Sequence, residues 1–228
     1  MACCVTTDPL WKNIEKRVHD CESDPNHCKW IDPKQGYALS PYDAVTPDLL
    51  VATTCVSGIE CPAAWDGTTP NYWNFAWTKL ALPFLSKEKE KIGMAINAKQ
   101  SGSGARTRDF DQLHIHVQCI DSTIKGALES KESSIDKWPN HKVMELNSHI
   151  GAKYYRVFKF ENDSDLAITN LFKCVYYMIG QHQTNMDYQT LIVIKRNKGG
   201  FYVLNSDTVS QELNKNGISD GERLLVKC

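Results

Sequence analysis

The sequence predicts an α+β fold built around an antiparallel sheet. Three observations carry this. Apolar-alternating runs come in pairs around turn residues, most clearly in "YQTLIVIKRNKGGFYVLNS" (188–206), which reads as a hairpin turning at "NKGG". Helical stretches fall between the strands without the regular strand–helix–strand alternation of a parallel sheet. The chain has 228 residues, of which 42% are hydrophobic and 10% aromatic. That suits one large domain, or two small ones sharing a core.

The elements follow in order. "DPLWKNIEKRVHDC" (8–21) carries Trp11, Ile14 and Val18 at helical spacing, and a polar cysteine-bounded loop follows it. "GYALSPY" (36–42) and "DLLVATT" (48–54) read as two strands around a turn, and 56–70 as loop. Residues 71–92 read as one helix, with Trp73 and Trp77 one turn apart as core. "GMAINA" (93–98) is a short strand, "KQSGSGARTRDFD" (99–111) a glycine- and serine-rich loop, and "QLHIHVQCI" (112–120) the next strand. A polar helix covers 122–135, residues 138–151 are mixed, and 152–160 alternate as a strand. Residues 164–182 read as one helix, the hairpin follows, and 206–217 read as a short closing helix. The organisation expected is an N-terminal helix and cysteine-bounded loop (1–34), then a single domain (35–228) whose second, β-rich half begins at about 150.

The formal net charge is −1 and the pI about 6.6. No whole-chain electrostatic attraction to nucleic acid or to an anionic membrane surface follows. An anionic substrate needs a local basic patch. The N-terminus has no apolar signal core and no stretch reaches the length of a membrane span, so the chain as given is expected to be soluble, without an integral membrane segment. Removal of a leader would imply a secreted or periplasm-like compartment, and otherwise a cytoplasmic one. Nine cysteines favour at least one disulfide and an oxidising history. Cys21 with Cys28, and Cys55 with Cys61, are spaced to close small loops, although spacing alone does not settle pairing.

The chemistry concentrates in "HIHVQ". On a strand, His114, His116 and Gln118 share one face, and Leu113, Ile115, Val117 and Cys119 the other. Strand histidines are often structural, and three chemical alternatives stand beside that one. A metal site would need ligands from distant parts of the chain, since no CxxC or HExxH pattern supplies them. A two-histidine phosphoesterase needs a second His-x-Thr/Ser pair, and His19, His27, His141, His149 and His182 sit in none. A histidine nucleophile needs one free nitrogen, one held nitrogen and a polar neighbour for the phosphoryl oxygens. His114, His116 and Gln118 meet that need. The preceding "SGSGARTR" adds backbone N–H groups that can approach an anion, and Arg106 and Arg108 to bridge its oxygens. No cofactor and no metal are called for.

"HIHVQ" resembles the histidine-triad signature, His-φ-His-φ-His/Gln with φ apolar. With "TPNYWNFAW", "MAINA", "HIHVQCI", "LIVIKRNKGGFYVLN" and "KQGYALSP", the chain resembles the CDP-diacylglycerol pyrophosphatase family over about 35–205. The resemblance implies a histidine-triad-like antiparallel sheet with packed helices, and metal-independent cleavage of a phosphoanhydride through a covalent nucleotidyl-histidine. It makes His116 the nucleophile, His114 its support through a backbone hydrogen bond, and Gln118 a contact to the α-phosphate. Asn97 falls near ribose or phosphate, and Arg106 or Arg108 near the outer phosphate. His149 and Lys153 match a histidine and a basic residue of the family. The partner implied is a nucleotide-lipid or other organic diphosphate, and a homodimer is compatible. Against the family pattern the sequence as given is expected to depart in three ways: no N-terminal anchor, a longer loop between Asn97 and His114, and Gln118 at the third position of the triad. A different class of function is a recruited scaffold that binds or converts another metabolite without phosphoanhydride hydrolysis.

Overall fold

The first helix shows how local sequence sets the architecture. In a computed structural model that describes residues 3–40 and 47–228, α1 (Pro9–Ser23) begins where Asp8 Oδ1 accepts from the N–H groups of Leu10 and Trp11, with Pro9 in the first turn. Its apolar stripe of Leu10, Trp11, Ile14, Val18 and Cys21 packs on Ala38 and Val51. Those two residues belong to β2 (Tyr37–Ser40) and β3 (Leu49–Ala52), next to the short edge strand β1 (Ile31–Asp32). The predicted end of the first strand at Pro41 and Tyr42 lies outside the described residues.

The remaining elements in chain order are α2 (Pro62–Trp65), α3 (Tyr72–Phe75), α4 (Leu82–Leu85), β4 (Ile92–Ile96), β5 (His114–Ile120), α5 (Ser122–Ser130), β6 (Lys142–Ser148), β7 (Gly151–Phe160), α6 (Asp163–Ile168), α7 (Leu171–Met178), β8 (Thr190–Lys195), β9 (Phe201–Ser206) and β10 (Leu225–Val226). The strands form one open antiparallel sheet in the order β1-β2-β3-β5-β4-β8-β9-β7-β6, with β10 added beside β5. The fold is therefore α+β. Both faces are covered, so β8 is buried at every position. Leu191 and Val193 face a core closed by Trp73, Trp77, Phe172 and Val175; Ile192 and Ile194 face a second core closed by Ile124 and Leu128 of α5. The hairpin between β8 and β9 turns at Gly199 and Gly200, both at positive φ, and a Cβ on Gly200 would collide with the Phe160 carbonyl. Among the described residues no helix is long and apolar enough to cross a membrane.

Five expectations need correction. The loop 56–70 contains α2, started by Pro62 at its first position. The helix predicted over 71–92 is α3, a π turn (Ala76–Ala81), α4 and a 3₁₀ segment. Pro83 has no N–H for the Lys79 carbonyl, and just before it Leu82 donates to Trp77, five residues back. The helix over 164–182 is broken into α6 and α7 because the Asn170 side chain caps the Lys173 N–H. No helix forms over 206–217. Asp207 Oδ1 takes the N–H groups of Val209 and Ser210, and Asn214 and Lys215 adopt positive φ. Cys21 does pair with Cys28, but Cys55 pairs with Cys4 rather than Cys61, and Cys119 pairs with Cys228.

Candidate active site

The expected two-faced strand is what β5 becomes. Ile115 and Val117 enter the first core, while His114 and His116 open onto a cavity of about 620 Å³ on the opposite face. α5 leaves the strand at its far end, so this part of the face is roofed by two other segments, a loop and a strap that holds a short 3₁₀ turn (Gly221–Leu224). One is the loop carrying Arg106 to Phe110. The other is the C-terminal strap carrying Ser219, Asp220, Glu222 and Arg223. Asn97, just past β4, and Leu49 of β3 complete the wall.

The two imidazoles are held differently. His114 is buried, and its Nδ1 lies 2.6 Å from the carbonyl oxygen of Gln112. A carbonyl can only accept, so Nδ1 carries the proton. Burial first, and then the neighbouring His116, push the His114 pKa down to about 4, so the ring is neutral at pH 7. The rings of His114 and His116 meet edge to face with centroids 5.0 Å apart. His116 Nε2 lies 2.6 Å from Glu222 Oε2, a close contact without the alignment of a hydrogen bond. The His116 imidazole, above all, holds the Glu222 carboxyl below its usual range. Beside it, burial and the Glu222 charge push Asp220 up to about 6, and its Oδ1 is buried without a partner.

The two arginines also differ. Arg108 is buried, grips both Glu60 oxygens at 2.6 and 2.8 Å, and donates twice to Asp111. Its guanidinium is committed to the protein. Arg106 is about half exposed; it donates to the carbonyls of Arg108 and Asp109 and lies 3.3 Å from Asp111. It keeps donor capacity toward the cavity.

Five of the eight expected site residues, His114, His116, Asn97, Arg106 and Arg108, line this cavity. Three lie outside its wall. Gln118 donates to Asp48 at 3.2 Å in a neighbouring pocket. His149 is bound to Asp121, the N-cap of α5, at 2.5 Å, and Lys153 to Asn216 at 2.8 Å. Sequence reading missed Glu222, Asp220, Ser219 and Arg223. The polar run Ser219-Asp220-Gly221-Glu222-Arg223 between Ile218 and Leu224 is the signal that stood for them. Among the described residues, no group of three or more His, Cys, Asp or Glu side chains is placed to hold a metal ion.

A family model described as CDP-diacylglycerol pyrophosphatase matches residues 5–226. A Yersinia pestis protein named CDP-diacylglycerol pyrophosphatase is 31% identical over 140 residues, which cover 57% of this chain and 51% of that protein. A Mycobacterium leprae (strain TN) protein named probable CDP-diacylglycerol pyrophosphatase is 36% identical over 138 residues, covering 54% of this chain and 47% of that one. The chain thus spans about half the length of the curated relatives it matches.

Proposed function

The chain belongs to the CDP-diacylglycerol pyrophosphatase family, and on that premise we propose that it hydrolyses the phosphoanhydride of CDP-diacylglycerol, or of a related organic diphosphate, through a covalent phosphohistidine at His116. The observation that carries this reading is the pair of imidazoles facing one cavity beside a guanidinium with donors to spare. We read the sheet that presents them as histidine-triad-like. A nitrogen lone pair of His116 forms a bond to the α-phosphorus, the bridging P–O bond breaks, and the lipid phosphate leaves with the electron pair. Water then attacks the same phosphorus, the P–N bond breaks, and its pair returns to the ring while a water proton passes to solvent. His114, kept neutral and fixed by Gln112, packs against the nucleophile and holds its orientation. Arg106 takes the outer phosphate, because Arg108 is occupied by Glu60 and Asp111. Asn97 stands near ribose or phosphate. The route needs no metal ion.

The test is release of CMP from CDP-diacylglycerol with EDTA present. The wild type should turn over, and His116→Ala should lose on the order of 10³-fold or more of kcat/KM, because the covalent route disappears. Undiminished turnover by that variant would refute the assignment. No turnover by the wild type would favour a scaffold recruited to another ligand.

A further inference from the structure

Three of the nine cysteines, Cys3, Cys61 and Cys174, stand outside the three disulfides. Two of these three are neighbours. The Cys3 carbonyl accepts from the Ser57 N–H at 2.7 Å, and the next residue, Cys4, is bonded to Cys55. These two ties lay the N-terminal segment along residues 55–61. The Cys3 side chain packs against the core that contains Cys61, and the two thiols are hydrogen-bonded to each other. They differ in access. Cys3 is half-buried and lines a second cavity of about 340 Å³. Cys61 is 2% exposed, and burial, then the Cys3 thiol, push its pKa up to about 12. The segment they border also holds the active-site loop. Glu60, next to Cys61, grips the Arg108 guanidinium and accepts from Ser57 Oγ at 2.7 Å. A Cβ on Gly58 would strike that guanidinium at 2.1 Å, so residues 57–61 wrap closely around it.

We propose that Cys3 and Cys61 are a thiol–disulfide pair: oxidation by a small-molecule disulfide joins them in a fourth disulfide, which clamps the Glu60 anchor of the loop over the active-site cavity. With oxidised glutathione as the oxidant, the Cys3 thiolate attacks one of its sulfurs. The S–S bond breaks and its electron pair leaves on a glutathione thiolate. Cys61 then loses its proton, its thiolate attacks Cys3 Sγ, and the second glutathione thiolate departs. Two protein thiols are oxidised, one glutathione disulfide is reduced, and the two cysteine protons pass to the two glutathione thiolates. Access and pKa set the order: Cys3 reacts first, and Cys61 reacts only with the sulfur beside it. Cys4–Cys55 already closes most of the intervening chain, so the new bond adds only the short loop between Cys55 and Cys61.

The experiment incubates the whole chain with oxidised glutathione, alkylates it in denaturant and reads each cysteine by mass spectrometry. Alkylation should fall from Cys3, Cys61 and Cys174 to Cys174 alone. In Cys61→Ala the reaction should stop at a glutathione adduct on Cys3. In Cys3→Ser neither Cys61 nor Cys174 should react, since both are buried. The fourth bond should raise the melting temperature by about 5 °C over Cys3→Ser, and slow amide exchange across 106–110 on the order of 10-fold. Cys3 and Cys61 both alkylated after oxidation, a wild-type glutathione adduct that never closes, or a Cys61 adduct in Cys3→Ser would overturn the pairing. A bond that forms without slowing exchange at 106–110 would overturn the clamp. None of these readouts uses turnover, so failure of the hydrolytic reading would leave them unchanged.

Discussion

Two charged clusters lie against the same sheet, and they differ in what they leave undone. Around Arg156 every group is matched. Its guanidinium donates to Glu212, Asn205, Asp207 and Ser210 at 2.6–2.9 Å, and Asn205 donates on to Gln189 and Thr190. Around His116 the matching is incomplete. Asp220 has a buried oxygen without a partner, Nε2 faces Glu222 without alignment, and Arg106 keeps donors for something else. Burial and charge are common to both clusters. Unused hydrogen-bonding capacity facing a cavity marks only the second, and there a ligand would complete it.

That contrast can be broken by substitution. The largest effect on stability belongs to the matched cluster. Arg156→Met leaves Asp207, 1% exposed, as an uncompensated buried charge, and should cost about 3–5 kcal/mol in denaturant unfolding. A loss below about 1 kcal/mol would mean that the cluster is less closed than its geometry.

A second effect belongs to the site itself. The His114 pKa is about 4 in the folded chain, below the ordinary 6.5, so the unfolded chain binds more protons between those values. Stability is therefore present above about pH 6.5 and is lost as pH falls toward 4, by up to about 3 kcal/mol. Unfolding followed across this window should show a steeper loss in the wild type than in His114→Asn. Equal slopes would contradict a neutral, buried imidazole.

The smallest effect separates the two arginines of the loop. Arg106→Ala should raise KM for CDP-diacylglycerol about 10- to 100-fold and move stability by no more than about 0.5 kcal/mol. Arg108→Met should do the reverse, lowering stability through the stranded Glu60. If both substitutions act alike, the division between committed and available guanidinium fails.

Much of this was legible in the sequence where the cause is local. The alternation of "HIHVQCI" put both histidines on one face, and "NKGG" placed the hairpin. Legibility ended where the cause is distant. Nothing near Glu222 in the chain ties it to His116; the link is made by β10 and the Cys119–Cys228 bond. Helical periodicity over 164–182 hid the break at Asn170, because a capping side chain overrides a continuous apolar stripe. Over 206–217 the polar residues read as helix surface, yet Asp207, Ser210 and Glu212 all accept hydrogen bonds from the Arg156 guanidinium. Arg106 and Arg108 look alike in sequence, and only the position of Glu60 distinguishes them.

The most direct measurement is the site of covalent attachment. Protein mixed with CDP-diacylglycerol and quenched in alkali, then digested and sequenced by mass spectrometry, should carry a cytidylyl group on His116. It should carry none in His116→Ala. Turnover with no adduct at His116, or an adduct on another residue, would contradict the account.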